Sequence, residues 1–176
     1  MGELAPPTAP QERLCHGWGG AIDFWIVDRR RQIRMSEAEL AAFLDSQRTV
    51  TCATVGPGGR PHLAALWYVP APGRIDCWTY AASQKARNLE RDPRATLLTE
   101  AGDTYQELRG VSLECDAELV RDPDQVLDVG VALALRYGPP APATDLRAAL
   151  APQAAKRVAI RFRPTRVSSW DHRKLG

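Results

Sequence analysis

The chain has 176 residues, enough for one domain with a single sizeable core. Hydrophobic residues make up 44% and charged residues 25%, as in ordinary folded domains, and a net charge of +2 gives bulk electrostatics no case for nucleic-acid binding. No apolar run approaches a membrane span, and the opening MGELAPPTAPQERL lacks the basic-then-apolar order of a secretory leader, so the expected location is the cytoplasm.

Residues 1–28 read as an appendage, because Pro6, Pro7 and Pro10 disfavour regular structure and Gly17, Gly19 and Gly20 extend that character. The folded domain is expected to span residues 29–176, opening on the basic run Arg29, Arg30, Arg31 and Arg34. A helix follows from Ser36 to about Ser46, with Ser36 and Glu39 as a capping box and Met35 and Leu40 as a hydrophobic staple. Thr49 to Val55 is β-branched and reads as a strand; Gly56-Pro57-Gly58-Gly59 turns the chain. Pro61 to Val69 is mostly apolar and reads as a strand buried on both faces, ended by the turn at Pro70 to Gly73. Arg74 to Tyr80 alternates, with Ile75, Cys77 and Thr79 on one face and Asp76, Trp78 and Tyr80 on the other.

A short helix from Ser83 to about Arg91 is stopped by Asp92-Pro93, and Arg94 to Glu100 is again a strand. The strongest period-2 signal sets Val111, Leu113, Cys115, Ala117 and Leu119 against Ser112, Glu114, Asp116 and Glu118, which predicts an antiparallel strand with one wet face. Helices are expected over about 123–137 and 145–155, and a long last strand from Arg157 with Val158, Ile160 and Phe162 inward. Consecutive short strands joined by Gly/Pro turns predict a mainly β, α+β domain: an antiparallel barrel with peripheral helices. A dinucleotide-binding fold is excluded, since no Gly-x-Gly-x-x-Gly lies between a strand and a helix.

The four cysteines form no Cys-x-x-Cys pair, and His16, His62 and His172 are scattered, so the thiols are expected to be reduced and structural and no metal site is expected. No Gly-x-Ser-x-Gly elbow, His-Glu-x-x-His motif or Walker loop is present. A core without an acid–base constellation suits either a binding module or an enzyme whose cofactor carries the chemistry. The informative segment is Trp78 to Leu89. A strand ends in a hydroxyl and aromatic pair, and a helix then begins at Ser83 with Lys85 in its first turn, where a cation is unfavourable by about 0.3–1 kcal/mol unless an anion compensates. Ser83, Lys85 and the free N–H groups would together cradle a phosphate; the same residues also suit an ordinary exposed helix start.

The pieces RQIRMSEAELAAFLDSQRTVTCATVGPGGRPHLAALWYV, RIDCWTYAASQKARNLERDPRATLL, DTYQELRGVSLECDAELV and VSSWDHRKL resemble, in this order, the superfamily of pyridoxamine-phosphate oxidases and their actinobacterial deazaflavin-dependent relatives. The resemblance covers the chain from Arg34 onward and implies a split β-barrel of the FMN-binding type, a homodimer, and a cofactor in grooves at the subunit interface. It implies that Trp78 and Thr79 contact the ring or ribityl region, that Ser83, Gln84, Lys85 and Asn88 hold the phosphate end, and that His62 to Trp67 run beside the ring. Arg109 and Gly110 would approach the ring, and Trp170 and Arg173 would form a C-terminal lid. Gln84 and Gly110 stand where the pyridoxamine-phosphate oxidases prefer arginine and glutamine, which argues against that substrate. The reading that follows is an oxidoreductase passing hydride between coenzyme F420 and a small organic acceptor, with Arg29, Arg30, Arg31, Arg34, Arg87 and Lys174 offering positive charge to the polyanionic tail. The alternatives are an FMN-dependent oxidase or reductase and a non-catalytic flavin, tetrapyrrole or deazaflavin binding module.

Overall fold

A computed structural model describes residues 29–175, so the reading of residues 1–28 as a loosely packed appendage lies outside the described residues. After a short helical turn over 29–32, the elements are α1 (Glu37–Ser46), β1 (Thr49–Val55), β2 (Pro61–Trp67), β3 (Val69–Ala71) and β4 (Arg74–Tyr80). They continue with α2 (Gln84–Arg91), β5 (Arg94–Ala101), β6 (Arg109–Val120), α3 (Pro123–Tyr137), α4 (Ala143–Ala154) and β7 (Arg157–Asp171), closed by a 3-10 turn at His172–Leu175. The strands form one antiparallel sheet in the order β2-β1-β5-β6-β7-β4-β3. The sheet curls so that β2 at one edge comes near β4, the strand next to the other edge, which makes the split barrel.

Alternation along the strands decides what lies inside. Val50 and Cys52 of β1, Ile75 and Cys77 of β4, Leu97 of β5, Val111 and Leu113 of β6, and Ile160 and Phe162 of β7 fill the barrel, and Phe43 of α1 closes its end. Each such side chain contributes roughly 1.5–3 kcal/mol on burial. A second, smaller core lies on the other side of β4 and β7, where Val126, Val129 and Leu133 of α3 meet Ala154, Ala159 and Val120. The half-buried ring of Trp78 packs against it, so close to Gly130 that a Cβ there would stand 2.5 Å from the ring.

The capping box at α1 is formed as the sequence predicts: the Glu39 amide donates to Ser36 Oγ (3.3 Å) and the Ser36 amide to Glu39 Oε2 (2.7 Å). The other end of α1 is tied to α3, where Arg136 Nη2 donates to the carbonyls of Leu44, Asp45 and Gln47 and the fully buried Tyr68 donates its hydroxyl to Leu44 O. Two expectations need correction. The second strand is not buried on both faces: Leu63, Ala65 and Trp67 point outward, because no layer of the described residues covers that side of β2. The Pro70–Gly73 segment is also not wholly a turn, since Val69–Ala71 pairs with Arg74–Asp76 as a tight hairpin. Asp76, on the face of β4 shared with Trp78 and Tyr80, is buried and held by Arg74 Nε at 3.0 Å from both carboxylate oxygens.

Candidate functional site

β4 ends at Tyr80 and the chain turns at once into α2, with the Ser83 amide donating to Tyr80 O (3.0 Å) and the Ala81 amide to Lys156 O (3.1 Å). Ser83 is the N-cap, its hydroxyl accepting from the Ala86 amide at 3.4 Å. The first turn of α2 carries no acidic residue. Lys85 instead bends back, so that its Nζ donates to Thr79 Oγ1 (3.0 Å), and Thr79 in turn donates to Ser83 Oγ (3.3 Å). Three polar side chains therefore converge at the positive end of a helix. The Ser83 proton and two of the three Lys85 protons remain for an acceptor outside this cluster.

The cluster rests on a rigid base. Asn88 is fully buried, donates to Thr54 Oγ1 of β1 (3.0 Å) and accepts from Gln84 Nε2 (2.8 Å); Thr54 is 3.5 Å from the carbonyl of His62. Asn88 and Gln84 are thus occupied with each other and with the sheet, and Asn88 fixes where α2 begins rather than facing outward. Thr54, which the sequence reading did not single out, is the residue through which the helix is pinned. Beside it the His62 Nδ1 is buried without a hydrogen-bond partner among the described residues.

The remaining expected site residues lie in three other places. Trp78 faces the second core with its ring under the Arg157 guanidinium (4.4 Å), on the opposite face of β4 from Thr79. Trp67, Gly110 and Trp170 belong to the uncovered face of the sheet. Trp67 stacks on Tyr137 at 4.8 Å, and Trp170 lies over Gly110, where a Cβ would stand 2.4 Å from the indole. Leu63 and Trp67 are 63% and 59% exposed, which leaves this face apolar and largely uncovered among the described residues. Beside it, Arg30, Arg34, Ser168 and Trp170 border a cleft of about 530 Å³. Arg109 and Arg173 lie at the end of the barrel beneath α1, next to Asp171. Lys174, expected to face a polyanion, is engaged with Glu39 Oε2 (2.6 Å) and Arg34 O (2.8 Å), and this contact together with Ser36 draws the Glu39 carboxyl down to about 2.

Cys52, Cys77 and Cys115 are buried and free, and Cys15 lies outside the described residues. Burial pushes the Cys52 and Cys115 thiols up to about 12 and the Cys77 thiol well above its ordinary value, against the opposing pull of Lys85 on Cys52 and Cys77. Thiolate, the reactive form, is therefore suppressed at all three. Iodoacetamide applied to the native protein at pH 8 is expected to leave these three unmodified by mass spectrometry, and to label them after denaturation. Modification of any of them in the folded state would contradict the burial described here.

Compared with known proteins, residues 36–171 match the family model described as pyridoxamine 5'-phosphate oxidase. Among solved structures, a conserved hypothetical protein of Mycobacterium tuberculosis, Rv2991, is 49% identical over 84% of this chain and 92% of that one, with a TM-score of 0.80. A protein titled F420 reductase is 26% identical over 72% of this chain and 94% of that one (TM-score 0.57). The heme storage protein HutZ of Vibrio cholerae is 20% identical over 74% and 92% (TM-score 0.60), a likeness of fold alone. No curated protein sequence matches the chain.

Proposed function

Because the chain belongs to the pyridoxamine 5'-phosphate oxidase family, we propose that it is a cytoplasmic, homodimeric oxidoreductase that uses the deazaflavin coenzyme F420 to reduce a small organic acceptor. The observation that carries this reading is the convergence of Lys85, Thr79 and Ser83 at the start of α2, with donors left over for a phosphate. The residues fit a phosphorylated flavin-type group: Lys85, Ser83 and the first amides of α2 would hold its phosphate, and Thr79 the adjoining chain. The partnerless His62 Nδ1 is a further polar atom suited to such a ligand. The cofactor would supply hydride transfer, a two-electron step that protein side chains do not carry.

What the protein contributes is position and exclusion of water. Gly110 lets the Trp170 indole approach the sheet closely, which gives an aromatic shelf beside the basic cleft of Arg30 and Arg34. That cleft suits an acidic extension on the cofactor, which favours F420 over FMN. Within one chain this shelf and the Lys85 cluster lie on different parts of the barrel. Two copies joined through the uncovered face carrying Leu63, Trp67 and Leu98 would bring the shelf of one to the cradle of the other and remove that apolar surface from water.

The second reading, FMN as cofactor, is favoured by the compactness of the Lys85 cluster, which suits a phosphate monoester equally well. Titration of the purified protein with F420 and with FMN, followed by quenching of tryptophan fluorescence, separates the two. Tighter binding of F420, with oxidation of its reduced form by an added acceptor and a dimeric mass in light scattering, is the expected result. Tighter binding of FMN would overturn the cofactor assignment, and a monomer that binds at full strength would overturn the shared site.

A further inference from the structure

At the end of the barrel, α1 and the last residues of β7 enclose a cleft of about 240 Å³ bordered by Phe43, Ser46, Arg109, Asp171 and Arg173. Glu39, Arg109, Asp171 and Arg173 line it, and Lys174 joins these four through its ion pair with Glu39. Both carboxylates are matched. Asp171, only 5% exposed, accepts from Arg173 Nε (2.9 Å) and Nη2 (2.6 Å), and Glu39 accepts from Lys174 (2.6 Å). Arg109 is the fifth group. It is half-buried, and its guanidinium makes no hydrogen bond or ion pair with a described residue, lying instead 5.3 Å above the Phe43 ring. Stacking holds the guanidinium plane against the ring while its donor edge stays open. Asp171, opposite Arg109 in the β6–β7 pairing, feels its charge but accepts its hydrogen bonds from Arg173, so the Arg109 donors are left for a second anion.

We propose that Arg109, stacked on Phe43 and flanked by Arg173, is the binding point for one carboxylate group in this cleft. The charges choose the ligand class. Three cations and two carboxylates leave one positive charge, which suits a singly charged planar anion; a dianionic phosphate would be repelled by Asp171 and Glu39. The planar fork of arginine matches a carboxylate in two parallel hydrogen bonds. The carboxylate has two natural sources, an acidic acceptor molecule or an acidic peptide extension on the cofactor. Which source applies rests on the proposed function, but the anion site itself does not, because its side chains come from α1, β6 and the C-terminal end rather than from the Lys85 cluster.

The test is isothermal titration of the full chain, at low ionic strength, with sodium benzoate and with a tri-γ-glutamate peptide. At least one probe is expected to bind wild type in the millimolar range or tighter, to lose about ten- to a hundredfold in affinity in Arg109→Gln, and to lose less in Arg109→Lys. Arg94→Gln, whose partner Asp92 is remote from the cleft in the strand pairing, should bind as wild type. Dependence on Arg109 for benzoate alone identifies an acidic acceptor, and for the peptide alone the cofactor's extension; either supports the site. Equal binding by wild type and Arg109→Gln, or no binding of either probe, overturns it. Should Arg109→Gln not fold, Phe43→Leu removes the shelf while keeping the charge, and unchanged binding there and in Arg109→Lys also overturns the proposal. The same titrations in Lys85→Ala separate the two anion sites: affinity lost in Arg109→Gln but not in Lys85→Ala supports the cleft, and affinity lost in Lys85→Ala alone places the probe at the Lys85 cluster and overturns it.

Discussion

Lys85→Ala is expected to weaken cofactor binding by roughly 1.5–3 kcal/mol, the scale of a hydrogen bond to a charged group, while leaving the apo protein about as stable as before. The first number corresponds to about ten- to a hundredfold in dissociation constant. The second follows from opposing terms. The substitution removes the Lys85–Thr79 hydrogen bond, a loss of about 0.5–1.5 kcal/mol. It also removes a cation from the positive end of α2, a gain of roughly 0.3–1 kcal/mol. Thr79 keeps Ser83 as a partner, so no buried hydroxyl is stranded. Lys85→Arg should recover only part of the affinity, since a planar fork does not replace a point charge. Fluorescence titration beside thermal melting checks both halves. Unchanged affinity with a lowered melting temperature would make Lys85 a structural residue and move the phosphate elsewhere.

Gly130→Ala and Gly110→Ala should both destabilise the protein, and the first should do so more. In each case the new Cβ would fall within 2.4–2.5 Å of an indole ring, Trp78 for Gly130 and Trp170 for Gly110. Overpacking of this kind costs about 1–3 kcal/mol. The difference lies in where the ring can go. Trp78 is enclosed by α3 and the second core and covered by Arg157, so the helix itself must shift. Trp170 has open clefts beside it, bordered by Thr49 and Thr51 on one side and Arg34 on the other, and can tilt away. A drop of several degrees in melting temperature is expected for Gly130→Ala. Gly110→Ala should melt closer to wild type but lose affinity for any ligand that lies on the Trp170 shelf. Equal losses would mean that the shelf is as rigid as the core.

The strand and helix boundaries were legible because each rests on a local rule: the Ser36–Glu39 capping box, the Asp92-Pro93 stop, the alternation from Val111 to Leu119. The clustering of Thr79, Ser83 and Lys85 follows from equally local rules, since Ser83 and Lys85 are neighbours in sequence and Thr79 stands near the end of the preceding strand. What the sequence hid is pairing at long range. Nothing local says that Asn88 is satisfied by Thr54, 34 residues away, or that Lys174 is taken by Glu39, 135 residues away. Nor does an apolar run such as Pro61 to Val69 reveal which of its faces a neighbour covers, which is why β2 read as two-sided. The alternation along β4 already set Trp78 and Thr79 on opposite faces, and the resemblance alone joined them at one ligand.

The position of β7 has a consequence for how the molecule is made. It is the last strand in the chain, yet it stands between β6 and β4 and carries both of their ladders. As the polypeptide leaves the ribosome, β2, β1, β5 and β6 can join in order of appearance, and β3 with β4 can close as a hairpin. The two pieces have no strand ladder between them until residues 157–171 emerge. During that interval β6 presents an open edge and Ile75, Cys77 and Leu113 lack the Ile160 and Phe162 that cover them. Closure must wait for contacts spanning some 80 residues, and such non-local pairing is slow. Nascent chains stalled before residue 157 should therefore be protease-sensitive and prone to edge-to-edge association, and those released past residue 171 should be resistant.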